Sequence, residues 1–171
     1  MRLRLRNNEK GITLLELIIV VSIVAILAVA LGFEFRGWMG KYKIESQTKE
    51  MYIDLMNARA KAMMKNRVQC ITLAASQYTI KEDKDPLPDG DGDCADPGDT
   101  IMLQKILNPT YPITFTAGNP LIFSTRGLLA SSTGIVRVSS ANDADYDCID
   151  IAESRIIMGK YDDTTSKCNP K

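Results

Sequence analysis

Residues 12–33 read ITLLELIIVVSIVAILAVALGF, and this stretch decides the fold because its only strongly polar members are Thr13, Glu16 and Ser22. As an α-helix rising about 1.5 Å per residue it spans roughly 33 Å, close to the ~30 Å hydrocarbon core of a bilayer. Arg2, Arg4, Arg6 and Lys10 precede it against Glu9, a net of +3 over the first eleven residues. The positive-inside bias keeps such a segment in the cytoplasm and sends the rest of the chain out. The expectation is a single-pass anchor over 12–33 with a folded domain beyond it.

Glu16 is the residue that an anchor alone does not explain. An acidic side chain deep in a bilayer costs roughly 2.5 to 3.5 kcal/mol, so such a group is expected to have a partner. A secretory signal peptide is the simpler alternative, since the basic start, the apolar stretch and Ala28-Val29-Ala30 imitate its three regions. It leaves Glu16 unexplained, and the helical pattern runs on past Ala30. An ordinary single-pass anchor also leaves the acid unexplained. A cut between Gly11 and Ile12 would create a new α-amine four residues before Glu16, a positive charge that another molecule could deliver.

The stretch KGITLLELIIVVSIVAILA, residues 10–28, resembles the class III signal and N-terminal helix of the type IV pilin superfamily. The shared marks are a short basic leader, a glycine before the cut and a glutamate at the fifth mature position. The resemblance implies a leader over 1–11, cleavage by a prepilin peptidase after Gly11 and N-methylation at Ile12. It also implies that Glu16 faces the N-terminal amine of a neighbouring subunit as the helix passes from the inner membrane into a filament. Partners would be other pilins or pseudopilins and, before assembly, inner-membrane lipid, with the C-terminal domain in the periplasm.

From residue 34 to 66 the chain turns charged yet stays helix-favouring. Tyr52, Leu55, Met56, Ala62 and Met63 fall near one helical face, while Lys49, Asp54, Lys61 and Lys65 can stay wet. A single helix from about Ile12 to Asn66 is expected, its outer half packed on a sheet. Gly32, Gly37 and Gly40 weaken it by roughly 1 kcal/mol each relative to alanine, marking a kink, a segment that melts on assembly or relief of crowding. Trp38 and Tyr42 suit a lipid–water boundary or a packed subunit contact. Residues 67–171 read as short strands between turn signals: VQCITLAAS, QYTIKE, TIMLQKI, PITFT, LIFST, GIVRVSS, YDCIDIA and RIIMGKY. The fold class is α+β, a long N-terminal helix laid on a mostly antiparallel sheet.

Within that domain LMNARAKAMMKNRVQCITL (55–73), GDTIMLQKI (98–106), IFSTRG (122–127) and CIDIAESRIIMGK (148–160) resemble the GspH/FimT type of minor pilins and pseudopilins. This implies a structural subunit of a type IV pilus or a type II secretion pseudopilus, initiating the filament or sitting at its tip. Some FimT-like minor pilins bind DNA in natural transformation. That alternative rests here on Arg137, Arg155 and Lys160, with Lys167 and Lys171, among many interleaved acids, where a phosphate-binding surface needs several cations on one face.

Composition narrows the chemistry. The 171 residues hold 21 basic and 21 acidic side chains and no histidine, so histidine acid–base catalysis and histidine-ligated metals are excluded. No triad, phosphate loop or zinc spacing occurs, and no enzyme is expected. Cys70, Cys94, Cys148 and Cys168 allow three pairings in an exported chain. Cys148 with Cys168 would fasten the tail, Cys70 with Cys94 would fasten the acidic loop to the first strand, and free buried cysteines are the alternative. No cofactor is expected beyond a possible Ca²⁺. Asp89, Asp91 and Asp93 match the first three oxygen ligands of an EF-hand-like loop, but Cys94 and Thr100 stand where that loop needs glycine and glutamate. A solvated, turn-rich loop tied down through Cys94 is the other reading.

Overall fold

The computed structural model describes residues 12–84, 91–96, 98–139 and 142–171, and the side chains of all of these except 30–36. Helix α1 runs Leu14–Lys65, 52 residues, as the continuous pattern predicts. It ends in Asn66, whose φ of 52° is the left-handed conformation that closes many helices. Nine strands follow: β1 Gln69–Ala74, β2 Gln77–Glu82, β3 Thr100–Ile106, β4 Ile113–Phe115, β5 Leu121–Phe123, β6 Gly134–Val138, β7 Cys148–Ile151, β8 Ile156–Asp162 and β9 Lys167–Pro170. The chain divides into two compact units, the first ending at Met39 and the second Gly40–Lys171.

In the second unit one face of α1 supplies the core. Ile44, Thr48, Met51, Leu55, Ala58 and Ala62 are all at most 1% exposed, and their spacing follows the helical period. Thr48 tolerates burial because its hydroxyl donates to the Ile44 carbonyl at 2.9 Å. The predicted apolar face is correct at Leu55 and Ala62 and wrong at Met56 and Met63, which are 38% and 49% exposed. The error arises because methionine, alanine and tyrosine occur all round this segment, so the stripe could be drawn one residue aside. Gly40 has a local reason: a Cβ there would come within 2.6 Å of the Asn142 side chain, so the glycine makes room for a loop.

The strands form two antiparallel sheets where a single sheet was expected. Sheet A has the order β3-β2-β1-β5 and sheet B the order β4-β6-β7-β8-β9. Strand-forming patterns do not name their partners, and β5 pairs back to β1 while β4 pairs forward to β6. Strand β9 escapes a sequence reading, since KCNP carries no alternating apolar pattern. Both sheets turn side chains to the same core: Ile71, Leu73, Tyr78, Ile80, Leu121 and Phe123 from A, Ile113, Val136, Val138, Ile149, Ile151 and Ile156 from B. Burying each large apolar side chain contributes about 1.5–3 kcal/mol. The Asn119 amide ties the segment before β5 to β1, accepting from the Leu73 N–H and donating to the Leu73 carbonyl at 2.9 Å each.

Both disulfides are present, Cys70–Cys94 and Cys148–Cys168. The second passes across a strand. Cys148 of β7 lies opposite Gly159 of β8, and Cys168 of β9 lies opposite Tyr161 of β8, two residues on. The bridge therefore runs over β8 beside Gly159, where a Cβ would overlap the Asn169 backbone carbonyl. Gly159→Ala is expected to destabilise the domain by about 1–3 kcal/mol, the usual cost of overpacking. Urea unfolding with the disulfides intact measures the loss, and peptide mapping should show poorer formation of Cys148–Cys168.

Polar ties fix α1 on sheet A. The Tyr78 hydroxyl, at the end of a core side chain, donates to Asp54 Oδ2 at 2.5 Å, and Lys105 pairs with Asp54 at 3.5 Å and with Glu50. Burial and the adjacent Asp54 carboxylate push the Tyr78 phenol pKa up. At the end of the helix Glu82, its side chain 4% exposed, meets Lys65 at 2.5 Å, Arg67 at 3.8 Å and Lys84 at 4.0 Å. Burial alone would raise the Glu82 pKa, but the Lys65 hydrogen bond and the charges of Lys65, Lys84 and Arg67 outweigh it, and the carboxyl lies below its ordinary 4.5. A depressed acid stabilises the fold fully above its unfolded pKa and loses that contribution as pH falls through its folded value. Glu82→Gln is thus expected to lower stability at neutral pH by about 1–3 kcal/mol and to flatten the loss of stability below pH 4.5. Urea midpoints of both proteins across that range test this.

Candidate assembly site

The first unit carries the residues that the sequence singled out. Thr13 stands just before α1, and its hydroxyl accepts the N–H of Glu16 at 3.2 Å, while its carbonyl accepts the first helical bond from Leu17 N–H at 3.2 Å. Thr13 is the N-cap, and Thr13-Leu14-Leu15-Glu16 has the T-x-x-E order of a capping box. Glu16 sits in the first turn, where the positive end of the helix dipole favours an acid. Ser22 is neutralised differently: its hydroxyl donates to the Ile18 carbonyl at 2.7 Å. Two of the three polar groups in the run thus bond to their own helix. Among the described residues the Glu16 carboxylate alone in this segment makes no hydrogen bond or ion pair.

Around it the helix is apolar on every side. The large side chains from Ile12 to Val29 are 50–77% exposed, so this segment has no inward face of the kind that the outer half buries. Among the described residues no helix is long and apolar enough to cross a membrane. Gly11, the residue before the expected cut, lies outside the described residues, whereas Ile12 and Glu16 lie within them.

A model of the prokaryotic N-terminal methylation motif matches residues 6–32. The chain therefore carries a type IV pilin-like prepilin signal, which implies processing by a prepilin peptidase, inner-membrane anchoring and assembly with other pilins in general terms. No curated protein and no solved structure matches the chain.

The remaining candidates are scattered. Asp89 lies outside the described residues. Asp91 and Asp93 each accept the N–H two residues on, at 2.8 and 3.0 Å, which builds two turns of the loop. Among the described residues no group of three or more acids and cysteines is placed to hold a metal ion. Arg137 makes a two-pronged bond to Asp163 at 2.6 and 3.2 Å and lies over the Tyr161 ring at 4.2 Å. Lys160 pairs with Asp143, and Lys171 and Lys41 pair with Asp145. The structure thus gives the C-terminal cations acidic partners, apart from exposed Arg155 and Lys167, which make no ion pair among the described residues.

Sequence reasoning missed the Thr13 cap and the Glu82 hub. The T-x-x-E spacing would have found the first. The second needs the strand register, because Glu82 looks in sequence like one more acid of the loop. Thr13→Ala is expected to cost the first turn about 1 kcal/mol, seen as faster amide exchange at Glu16 in the lipid-embedded chain. Thr13→Ser should keep the protection.

Proposed function

We propose that this chain is a structural subunit of a type IV pilin-like filament, of the GspH/FimT type of minor pilins and pseudopilins, serving a pilus or a secretion pseudopilus. The observation that carries the reading is the methylation motif over residues 6–32 together with the exposed apolar segment 12–29, in which Glu16 is the one charged residue and makes no ion pair among the described residues. Prepilin peptidase cuts after Gly11 and Ile12 becomes the methylated N-terminus. Glu16 then pairs with the N-terminal amine of a neighbour, which removes the cost of an isolated acid in lipid. The helix holds the precursor in the inner membrane with the β-rich domain in the periplasm. Nothing in this role requires catalysis or a cofactor. Of the three residues offered for DNA binding, Arg137 and Lys160 pair with neighbouring acids while Arg155 stands exposed without an ion pair among the described residues, and one such cation does not make the row of charges that a phosphate backbone needs.

The reading separates two effects of one substitution. Glu16→Ala should still be cut after Gly11, seen as the loss of the leader by intact mass. It should nevertheless fail to enter filaments sheared from cells that co-produce the other subunits. Incorporation at the normal level would overturn the pairing mechanism.

A further inference from the structure

The edges of the two sheets are not equally closed. The β5 edge is taken by the chain that follows it: Ala130 N–H donates to the Ile122 carbonyl at 2.8 Å, Ser131 Oγ accepts the Ile122 N–H at 3.2 Å, and Leu129 bridges to Phe123. In sheet B the edge strands are β4, of three residues, and β9, of four, which ends in Pro170. Short strands and proline are common protections of an edge. Strand β3 has neither. It is seven residues long, TIMLQKI, and among the described residues it pairs with β2 alone. Its one charge, Lys105, turns inward to Glu50 and Asp54.

The register gives the direction of its backbone groups. Leu107 N–H donates to the Ser76 carbonyl at 2.8 Å, in step with Ile106 opposite Gln77. Antiparallel bonding alternates, so Lys105 and Leu103 also bond to β2, while Gln104 and Ile106 aim N–H and C=O at the open edge. A bulge leaves Met102 without a residue opposite, but Leu103 to Ile106 is regular. Apolar burial is incomplete here: Ile101 and Ile106 are 57% and 81% exposed, and Met102 and Leu103 are only partly buried against the core.

Beside this edge α1 lays a polar row. Lys43, Gln47, Glu50, Asp54, Asn57 and Lys61 follow the helical period along one face. Two grooves open between the row and β3. One is lined by Asn57, Lys61, Met102 and Leu103 among others, the second by Lys43, Glu50, Ile106 and Leu107 among others. The acids in the middle of the row are held by Lys105, whereas exposed Lys43 and Lys61 near its ends make no ion pair among the described residues.

An open row of peptide N–H and C=O groups is matched by another extended backbone, and the alternate side chains of that strand then give specificity. We infer that the β3 edge takes an extended segment of a different protein as an antiparallel fifth strand of sheet A. The segment's residues on the α1 side are apolar in the middle, finishing the burial of Leu103, with an acid near each end for Lys43 and Lys61. The two acids stand about six residues, roughly 20 Å, apart, which spans Ile101 to Leu107 and keeps both on one face. A second copy of β3 is a poor match, since it carries no acid. Pairing about a two-fold axis would also set the Lys61 end of one copy against the Lys43 end of the other, like charge against like. The inference uses the folded unit alone, so neither cleavage after Gly11 nor the pairing of Glu16 bears on it.

The test adds a capped peptide, Asp-Thr-Val-Thr-Val-Thr-Asp, to the full chain in lipid nanodiscs and reads amide exchange along β3 by mass spectrometry. At ten times its Kd the peptide should slow exchange at Gln104 and Ile106 about tenfold. The threonines of an antiparallel strand would lie opposite Gln104 and Ile106, so N-methylation at the threonines should abolish the effect and N-methylation at the valines should spare it. Gln104→Pro removes a donor aimed at the open edge and should raise the Kd by about tenfold or more, read at Ile106. Lys43→Glu with Lys61→Glu should raise it about tenfold and abolish its increase with salt. Mapping of both disulfides checks that the variants fold. No protection at millimolar peptide, protection away from β3, or protection indifferent to N-methylation at the threonines overturns the inference. So does slowed exchange of β3 without peptide when several copies share a nanodisc, the mark of a self-pairing edge.

Discussion

Everything in the folded domain depends on one face of the outer half of α1 being buried along its whole length. Ile44, Met51, Leu55, Ala58 and Ala62 share one buried cluster with the inward side chains of both sheets. Sheet A has four strands and sheet B five, but β4 and β5 are only three residues each, too short to hold a register by backbone pairing alone. The helix sets their place, and the polar ties from Asp54 to Tyr78 and from Gln47 to the Tyr111 carbonyl at 2.9 Å fix its rotation. A rotation by one residue would bring Met56 and Met63 in and strand Asp54 without its phenol.

How much of this the sequence allows one to read follows from the range of each interaction. The apolar run, the strand segments β1 to β8 and the acid at Glu16 are local patterns, legible because period and composition are local. The two-sheet arrangement, β9 and the inward turn of Glu82 are not, because each depends on which distant residue lies opposite. The disulfides fall between: the count and spacing of the cysteines made tail and loop bridges plausible, but the crossing of β8 at Gly159 appears only once the register of β7, β8 and β9 is known. At the candidate site the balance is more favourable. Thr13, Glu16 and Ser22 act within one or two helical turns, so their chemistry is legible from spacing, the T-x-x-E cap included.

The same two kinds of interaction explain how one chain serves lipid and water. Before Val29 the backbone supplies the partners for polar side chains: Thr13 is satisfied by an N–H and Ser22 by a carbonyl, which leaves one carboxylate unsatisfied. From Gly40 on, Thr48 still bonds to its own helix, but the ties that hold the helix run to other elements, through Asp54, Gln47, Glu82 and the loop that carries Asp145. A helix that met its polar needs through tertiary contacts could not stay in a membrane alone, and one that met them all internally would have nothing to bind a neighbour by. Among the described residues Glu16 is the single exception on the apolar side, and exposed Arg155 and Lys167 are among the charges that make no ion pair on the folded side. Groups that a stable monomer leaves unsatisfied are the ones that gain from a second molecule, so the places where this fold is least complete by itself are where assembly has free energy to gain.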